Sequence, residues 1–325
     1  MRCSGASTRV RGDMKDSLHD LIATERENEM KNAVEIKGLT KKYKDFTLGE
    51  LDLSIPCGFA TALIGANGAG KTTLIDILSG VTARNSGETV YFGDMTDIDD
   101  GELRNRIGYC SAVNFFPPDW TLRTVAQSME LGFDNFDRKR FSELCSRFKL
   151  GDPEEKKQKK LIKLSDGNKM RTYLAAVMAR DTELLILDEP ASALDPLARD
   201  LLCDLFREYL SERDGERTVL FSTHNIADME FATDYAVFMA RGKVVEAGYV
   251  EDLKEKYILV HGDGETAEKA RPFMLSQTGG RSGFEGIALA ENADMLGAFD
   301  TAVETPTLQQ LSVGILRKAE EDGEE

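Results

Sequence analysis

The sequence predicts an α/β protein built on a largely parallel sheet with helices on both faces. Three observations carry that expectation. Short, largely apolar runs at Ala60–Ile64, Leu184–Leu187, Thr218–Phe221 and Tyr235–Met239 have the length of buried strands. Helical stretches fill the gaps between them, and alternating strands and helices is the pattern of a parallel sheet. A glycine-rich segment, Gly65–Thr72, joins the first run directly to an amphipathic helix.

Composition narrows the class. Of 325 residues, 41% are hydrophobic and 30% charged, the balance of a globular protein rather than a disordered or fibrous one. At roughly 100–200 residues per domain, the length suits two or three domains. No stretch approaches the roughly 18 uninterrupted apolar residues that span a bilayer. Lys and Arg number 41 against 57 Asp and Glu, a net charge of −16, so no nucleic-acid partner is expected. Cys3, Cys57, Cys110, Cys145 and Cys203 are odd in number and widely spaced, with no CxxC. That argues against a disulfide framework or zinc site and for the cytoplasm. Arg2, Arg9 and Arg11 precede no apolar core, so no secretory signal is expected.

In chain order, residues 1–31 are polar and without periodicity and are expected to form a flexible tail, with Met30-Lys31 a sensible alternative start. From Val34 to Pro56, apolar residues largely alternate with polar ones, as in short strands. After the strand Ala60–Ile64 a helix is expected over about Lys71–Ser79. Residues of about 94–165 read as mostly helical and charged, and further helices are expected over about Gly167–Arg180 and Leu197–Glu212. Past about Lys256 the character changes. Residues 261–325 hold 13 acidic and 5 basic side chains, half of the total net charge. Gly279-Gly280 and Glu320–Glu325 read as mobile, and the stretch between them has enough apolar residues for a small appended domain.

Gly65-Ala66-Asn67-Gly68-Ala69-Gly70-Lys71-Thr72 fits G-x-x-x-x-G-K-[ST], between an apolar strand and a helix. Glycines let the backbone aim its N–H groups at phosphates, and the helix N-terminus adds positive potential. Lys71 is placed to reach the β- and γ-phosphates, and the Thr72 hydroxyl to ligate Mg²⁺. The run Leu184–Leu187 ends in Asp188-Glu189, where a carboxylate at a parallel strand's end faces a nucleotide crevice. Asp188 would hold Mg²⁺ through water, and Glu189 would polarise the water that attacks the γ-phosphate. His224 follows the strand Thr218–Phe221, where an imidazole can hydrogen-bond a γ-phosphate.

On these residues the sequence resembles the nucleotide-binding subunits of ATP-binding cassette (ABC) transporters over about residues 34–250. Further features follow in the family's order. Tyr43 in Lys41-Lys42-Tyr43-Lys44 matches the aromatic that stacks on adenine. Leu164-Ser165-Asp166-Gly167-Asn168 stands where the family has its LSGGQ signature, with Ser165 placed 23 residues before Asp188. Ser192-Ala193-Leu194-Asp195 matches the D-loop, and His224 the switch histidine. The resemblance implies a P-loop NTPase core of ABC type, with an antiparallel β subdomain, a helical subdomain at about 94–180 and a small C-terminal appendage. It implies a nucleotide-binding domain at 32–255 and an acidic extension at 256–325. It implies ATP and Mg²⁺ as cofactors, held by Tyr43, Gly65 to Thr72, Thr73, Ser165, Gly167, Asn168 and Asp195. Lys71, Glu189 and His224 are implied as catalytic residues, and Thr72 and Asp188 as metal ligands. ATP would be sandwiched between two cassettes, as a homodimer or heterodimer, because one signature serves the opposite subunit's phosphate loop. Separate membrane-spanning permease subunits would recruit the chain to the cytoplasmic face of the membrane.

Two departures stand out. Asp166 and Asn168 replace the glycine and glutamine of the signature. In Ile107-Gly108-Tyr109-Cys110-Ser111-Ala112, Ala112 stands where the family has a glutamine that ligates Mg²⁺, leaving water, Ser111 or Asn114 to substitute. The following Phe115-Phe116-Pro117-Pro118-Asp119-Trp120 would suit a groove for a helix of a membrane partner, or else a local core cluster. Gly283-Phe284-Glu285-Gly286 and Thr305–Leu311 resemble the C-terminal extension of bacterial exporter-type cassettes. The leading reading is therefore an ATPase that powers export through separate membrane subunits. Its alternatives are a nucleotide-sensing cassette with little hydrolysis and a soluble ABC ATPase that does not transport.

Overall fold

The computed structural model describes residues 31–96, 98, 100–112, 116–280 and 282–323. The expected tail up to residue 30, together with Asn114, Phe115, Glu324 and Glu325, lies outside the described residues.

A six-stranded sheet is the centre of the molecule, in the order β5-β6-β7-β3-β8-β9. Its strands are β3 (Ala60–Ile64), β5 (Ile107–Cys110), β6 (Leu184–Leu187), β7 (Thr218–Thr223), β8 (Tyr235–Ala240) and β9 (Lys243–Tyr249). All pairings are parallel except β8 with β9. The reason for the unbroken apolar runs is visible in which core each residue joins. Ala60, Ala62, Ile64, Leu185, Leu187, Val219, Phe221, Ala236 and Phe238 enter one cluster. Leu63, Leu184, Ile186, Leu220, Val237 and Met239 enter the other. Side chains alternate along a strand, so a strand buried on both faces reads as continuous rather than alternating.

Strands β1 (Asn32–Lys42), β2 (Thr47–Pro56) and β4 (Ser86–Tyr91) form a separate antiparallel sheet in the order β2-β1-β4. Together with α1 (Lys71–Leu78) it contributes to the second cluster. The first cluster is covered by α3 (Leu122–Gly132), α4 (Arg138–Arg147), α5 (Asp166–Met178) and α6 (Pro196–Ser211). Ser79 is the C-cap of α1, and α5 and α6 lie within one or two residues of their expected ends.

The stretch 94–165 is less uniformly helical than expected. After the one short helix α2 (Gly101–Arg106) it contributes β5, the edge strand of the central sheet. Four residues, just after Arg104 and Arg106, show too little periodicity to mark a strand; pairing with β6 makes them one. Phe116 and Trp120 are half-buried and stack on each other at 5.9 Å between centroids. Phe116 also meets Tyr173 of α5 edge-on at 4.9 Å. Both pack against the first cluster, which is the core reading of that segment.

After α7 (Val250–Lys256), strands β10 (Tyr257–Gly262), β11 (Met274–Gly280), β12 (Gly283–Leu289) and β13 (Ala302–Glu304) form an antiparallel sheet, ordered β11-β12-β10-β13, with the short helices α8 (Ala267–Ala270) and α9 (Ala293–Gly297) in its connections. Val260, Ala270, Phe284, Ala288 and Leu296 make its own small core. Helix α10 (Leu308–Glu321) packs both on this sheet and on the central one. Its Leu308, Leu311 and Ile315 join the first cluster beside Ala236 and Phe238 of β8. Gly314 lets it lie close on β12, since a Cβ there would sit 2.5 Å from Ile287 Cγ1.

The start of α10 is capped twice. Thr307 and Gln310 form a capping box. Glu230 accepts from the N–H of Leu308 at 2.9 Å and of Gln309 at 3.4 Å, and from Lys254 Nζ at 2.9 Å. Burial works to raise the Glu230 carboxyl, but the Leu308 N–H, Lys254 and the Gln309 N–H together hold it below the ordinary value of 4.5. A carboxylate held low stabilises the fold above its unfolded value and loses that contribution as pH falls through its folded value. Glu230→Ala should therefore cost about 1–3 kcal/mol at pH 7 by stranding helix N–H groups. Urea unfolding of the two proteins checks this: their stabilities should differ at pH 7 and converge only below pH 4.5.

Candidate functional site

The carboxyl ends of β3, β6 and β7 open on one crevice, and each delivers part of a polar constellation. From β3 the chain enters the loop Gly65–Gly70 and then α1. Gly70, the N-cap of α1, takes a φ of 105°, and Gly68 a φ of 83°. Gly65 is required by space: a Cβ there would meet Met239 O at 2.4 Å. The loop therefore keeps the backbone-lined concavity that a phosphate cradle needs.

Lys71 reaches back over this loop. Its side chain is only 6% exposed, and Nζ donates to Gly65 O at 2.7 Å and Ala66 O at 3.1 Å. The same ammonium lies 3.8 Å from Glu189 Oε1. Burial lowers the Lys71 pKa, while Glu189 and Asp188 oppose the shift. Thr72 Oγ1 donates to Asp188 Oδ2 at 2.9 Å. Thr73 follows it, half-buried, in the first turn of α1.

Asp188 ends β6 with 2% exposure. Its other oxygen accepts the Ser222 hydroxyl, and Ser222 Oγ in turn accepts the Glu189 N–H at 2.9 Å. Ser222 belongs to β7 and aligns the two acidic residues from the neighbouring strand. Sequence reasoning missed it, although its place two residues before His224 was a usable signal. Glu189 sits at a φ of 48°, a left-handed conformation that costs a side-chain-bearing residue of the order of 1–3 kcal/mol. The strained turn aims its carboxylate at Lys71 on one side and at His224 Nδ1, 2.8 Å away, on the other.

Two oxygen donors, Thr72 Oγ1 and Asp188, converge beside the glycine cradle, a hard-donor set that suits Mg²⁺ completed by water and phosphate oxygens. Among the described residues no group of three or more His, Cys, Asp and Glu could hold a metal by itself.

Tyr43 lies in the turn between β1 and β2, 49% exposed, with its ring 6.5 Å from that of Phe46. Phe46 and Leu48 close on the loop, since a Cβ at Gly70 would meet Leu48 Cδ1 at 2.8 Å and Phe46 Cζ at 3.0 Å. An exposed aromatic face thus stands next to the phosphate loop.

The signature residues gather elsewhere. Ser165 is the N-cap of α5 and accepts the Asn168 N–H at 3.3 Å. Gly167 packs on the backbone of Ala193, where a Cβ would lie 2.6 Å from the carbonyl oxygen. Arg171 links this helix to the D-loop: it donates to Asn168 Oδ1 at 3.3 Å and pairs with Asp195. Asp195 is also the N-cap of α6, and the Ala198 N–H, then Arg171, hold its carboxyl low. Asp166 is exposed and pairs with Lys169 at 2.8 Å, which lowers its pKa. The structure therefore brings together Gly65–Thr72, Asp188, Glu189 and His224 as one group. It brings together Ser165, Gly167, Asn168 and Asp195 as another.

At the departing position, Ala112 is exposed, while Ser111 is buried and hydrogen-bonded to Tyr109. Tyr109 donates onward to Asp76 Oδ1 of α1 at 2.9 Å, tying β5 to the helix that follows the phosphate loop.

Known proteins resemble this chain in sequence and in fold. Residues 48–192 match the family model described as ABC transporter. The chain is 34% identical over 235 residues to the nickel import ATP-binding protein NikO of Rhodobacter capsulatus, covering 67% of this chain and 90% of that protein. It is 31% identical over 250 residues to human ATP-binding cassette sub-family A member 10, covering 70% of this chain but 15% of that much longer protein. A solved ATP-binding subunit of an ABC transporter superposes with a TM-score of 0.59 at 26% identity, covering 68% of this chain and 92% of that one.

Proposed function

The chain belongs to the ATP-binding cassette transporter family, whose cassettes are P-loop ATPases, and from that premise we propose that it is an ATP-hydrolysing subunit that drives export through separate membrane-spanning subunits. The observation that carries the reading is the convergence of Lys71, Thr72, Asp188, Glu189 and His224 at the ends of three neighbouring strands.

In this reading the loop N–H groups and Lys71 bind the β- and γ-phosphates, and Tyr43 stacks on the adenine. Thr72 and Asp188 hold Mg²⁺, which neutralises phosphate charge when bound. Glu189 accepts a proton from the attacking water; a new P–O bond forms at the γ-phosphorus as its bond to the bridging oxygen breaks, releasing ADP and phosphate. His224 holds the Glu189 carboxylate from its solvent side and offers its other ring nitrogen to the γ-phosphate. Ser165, Gly167 and the N-terminus of α5 serve the ATP of a second cassette, and Asp195 meets that partner. Arg171 holds those two elements in register.

Export is favoured by the appendage β10–α10, which contains the residues resembling exporter-type extensions. The name of NikO points to import, and its match covers 67% of this chain. In this reading the membrane-spanning part belongs to partner subunits, which the chain meets at the cytoplasmic face; no helix among the described residues is long and apolar enough to cross a membrane. Ala112 favours a second reading, a nucleotide sensor with little hydrolysis. Phosphate release from the purified chain with Mg-ATP separates the two. Release at a steady rate is expected; ATP binding without release would overturn the motor reading for the isolated chain.

A further inference from the structure

The β8–β9 turn is the point where the phosphate loop, the antiparallel sheet and the C-terminal helix meet. Gly242 donates to Ala69 O at 2.9 Å and accepts from the Gly49 N–H at 3.0 Å. Arg241, beside it, donates through Nη2 to Glu320 O, in the last turn of α10, at 2.8 Å. Both turn residues are left-handed, with φ of 49° and 77°. Glycine, asparagine and aspartate are the residues that suit such a two-residue turn, so arginine there is conformationally unfavourable. What the long cation gains is the end of α10.

Two cavities flank that helix end. A cavity of about 120 Å³ separates it from the phosphate loop, lined by Ala66, Asn67, Gly68, Arg241, Leu316 and Glu320. A second, of about 440 Å³, opens on the other side of Arg241 against Tyr257, Lys318 and Asp322. The buried side chains of α10 end at Ile315; Leu316 is half-buried and still packs against the first cluster, and Glu320 to Gly323 are exposed. Glu230 pins the helix start, and Arg241 together with the Lys318–Asp322 ion pair holds its end.

We propose that the last two turns of α10 form a latch over the phosphate loop, held by Arg241, that lowers nucleotide affinity while it is closed. The proposal rests on the reading of Gly65–Thr72 as a nucleotide cradle. The closed latch sets the C-terminal end of the helix and Glu320 across a small cavity from Ala66, Asn67 and Gly68 of the loop that would take the phosphates. Bound nucleotide repels that end, and by linkage a closed end weakens the nucleotide by the same factor.

Arg241→Asn tests this without straining the turn, because asparagine suits the left-handed position. Affinity is read by titration with a fluorescent ATP analogue, and the helix end by amide hydrogen exchange with and without Mg-ATP. The variant should bind about fivefold more tightly, the low end of such couplings. In the parent chain, Mg-ATP should speed exchange over residues 316–323 and leave 308–315 unchanged. Equal affinities, or exchange over 316–323 that ignores nucleotide, would overturn the latch alone. A parent chain that bound no nucleotide would overturn the cradle reading and the latch with it.

Discussion

Glu189→Gln should stop phosphate release while leaving ATP bound. The substitution is isosteric, so the turn at φ 48° and the contact with Lys71 persist in shape. The amide, however, cannot take up the proton of an attacking water. A positioned base contributes typically 10²–10⁴-fold, so release should fall at least about a hundredfold. Because the cradle is untouched, the Kd for ATP should stay within about threefold, a change that corresponds to less than 1 kcal/mol. If two cassettes enclose ATP, the trapped nucleotide should also shift the chain to a dimer in size-exclusion chromatography with ATP. Single-turnover phosphate release and that chromatogram are the measurements. Release at the parent rate would remove Glu189 from the role of base and leave His224 as the candidate.

Lys71→Ala should act at the preceding step. Lys71 Nζ spans Gly65 O, Ala66 O and Glu189, so the loop in this state is closed around its ammonium. Phosphate oxygens compete for the same donor, and hydrogen bonds to charged groups contribute about 1.5–3 kcal/mol. Nucleotide affinity should therefore weaken about ten- to a hundredfold, measured by the same titration. The pair of variants separates binding from chemistry: Lys71→Ala should lose affinity, Glu189→Gln turnover. Unchanged affinity in Lys71→Ala would mean that backbone N–H groups alone hold the phosphates.

Much of this site was legible because its residue types are forced by local geometry. A cradle of N–H groups demands glycines at fixed spacing, and a strand buried on both faces demands an unbroken apolar run before them. Asp188 and His224 were placed by the same logic, as polar residues closing such runs. What stayed hidden depends on partners distant in sequence. Strand β5 is only four residues long and is a strand because β6 lies beside it. Ser222 looks like the polar end of an apolar run until β6 sets Asp188 and Glu189 against it. Arg241 reads as a surface cation in a turn; only the packing of α10, some eighty residues later, gives it a role. The appendage was legible as a change of charge, but not as the source of a core helix.

That helix has a bearing on how the protein is made. Ala236 and Phe238 of β8 face the cluster that Leu308, Leu311 and Ile315 complete, so the nascent sheet leaves the ribosome with one apolar flank uncovered. The covering helix follows roughly seventy residues later. At about 5–20 residues per second, that flank stays open for about 4–15 seconds of synthesis. The closing contacts are non-local and form late, which makes this edge the slow and aggregation-exposed part of biogenesis. A cassette cut short before α10 would keep its phosphate loop and leave that apolar flank of β8 without its cover.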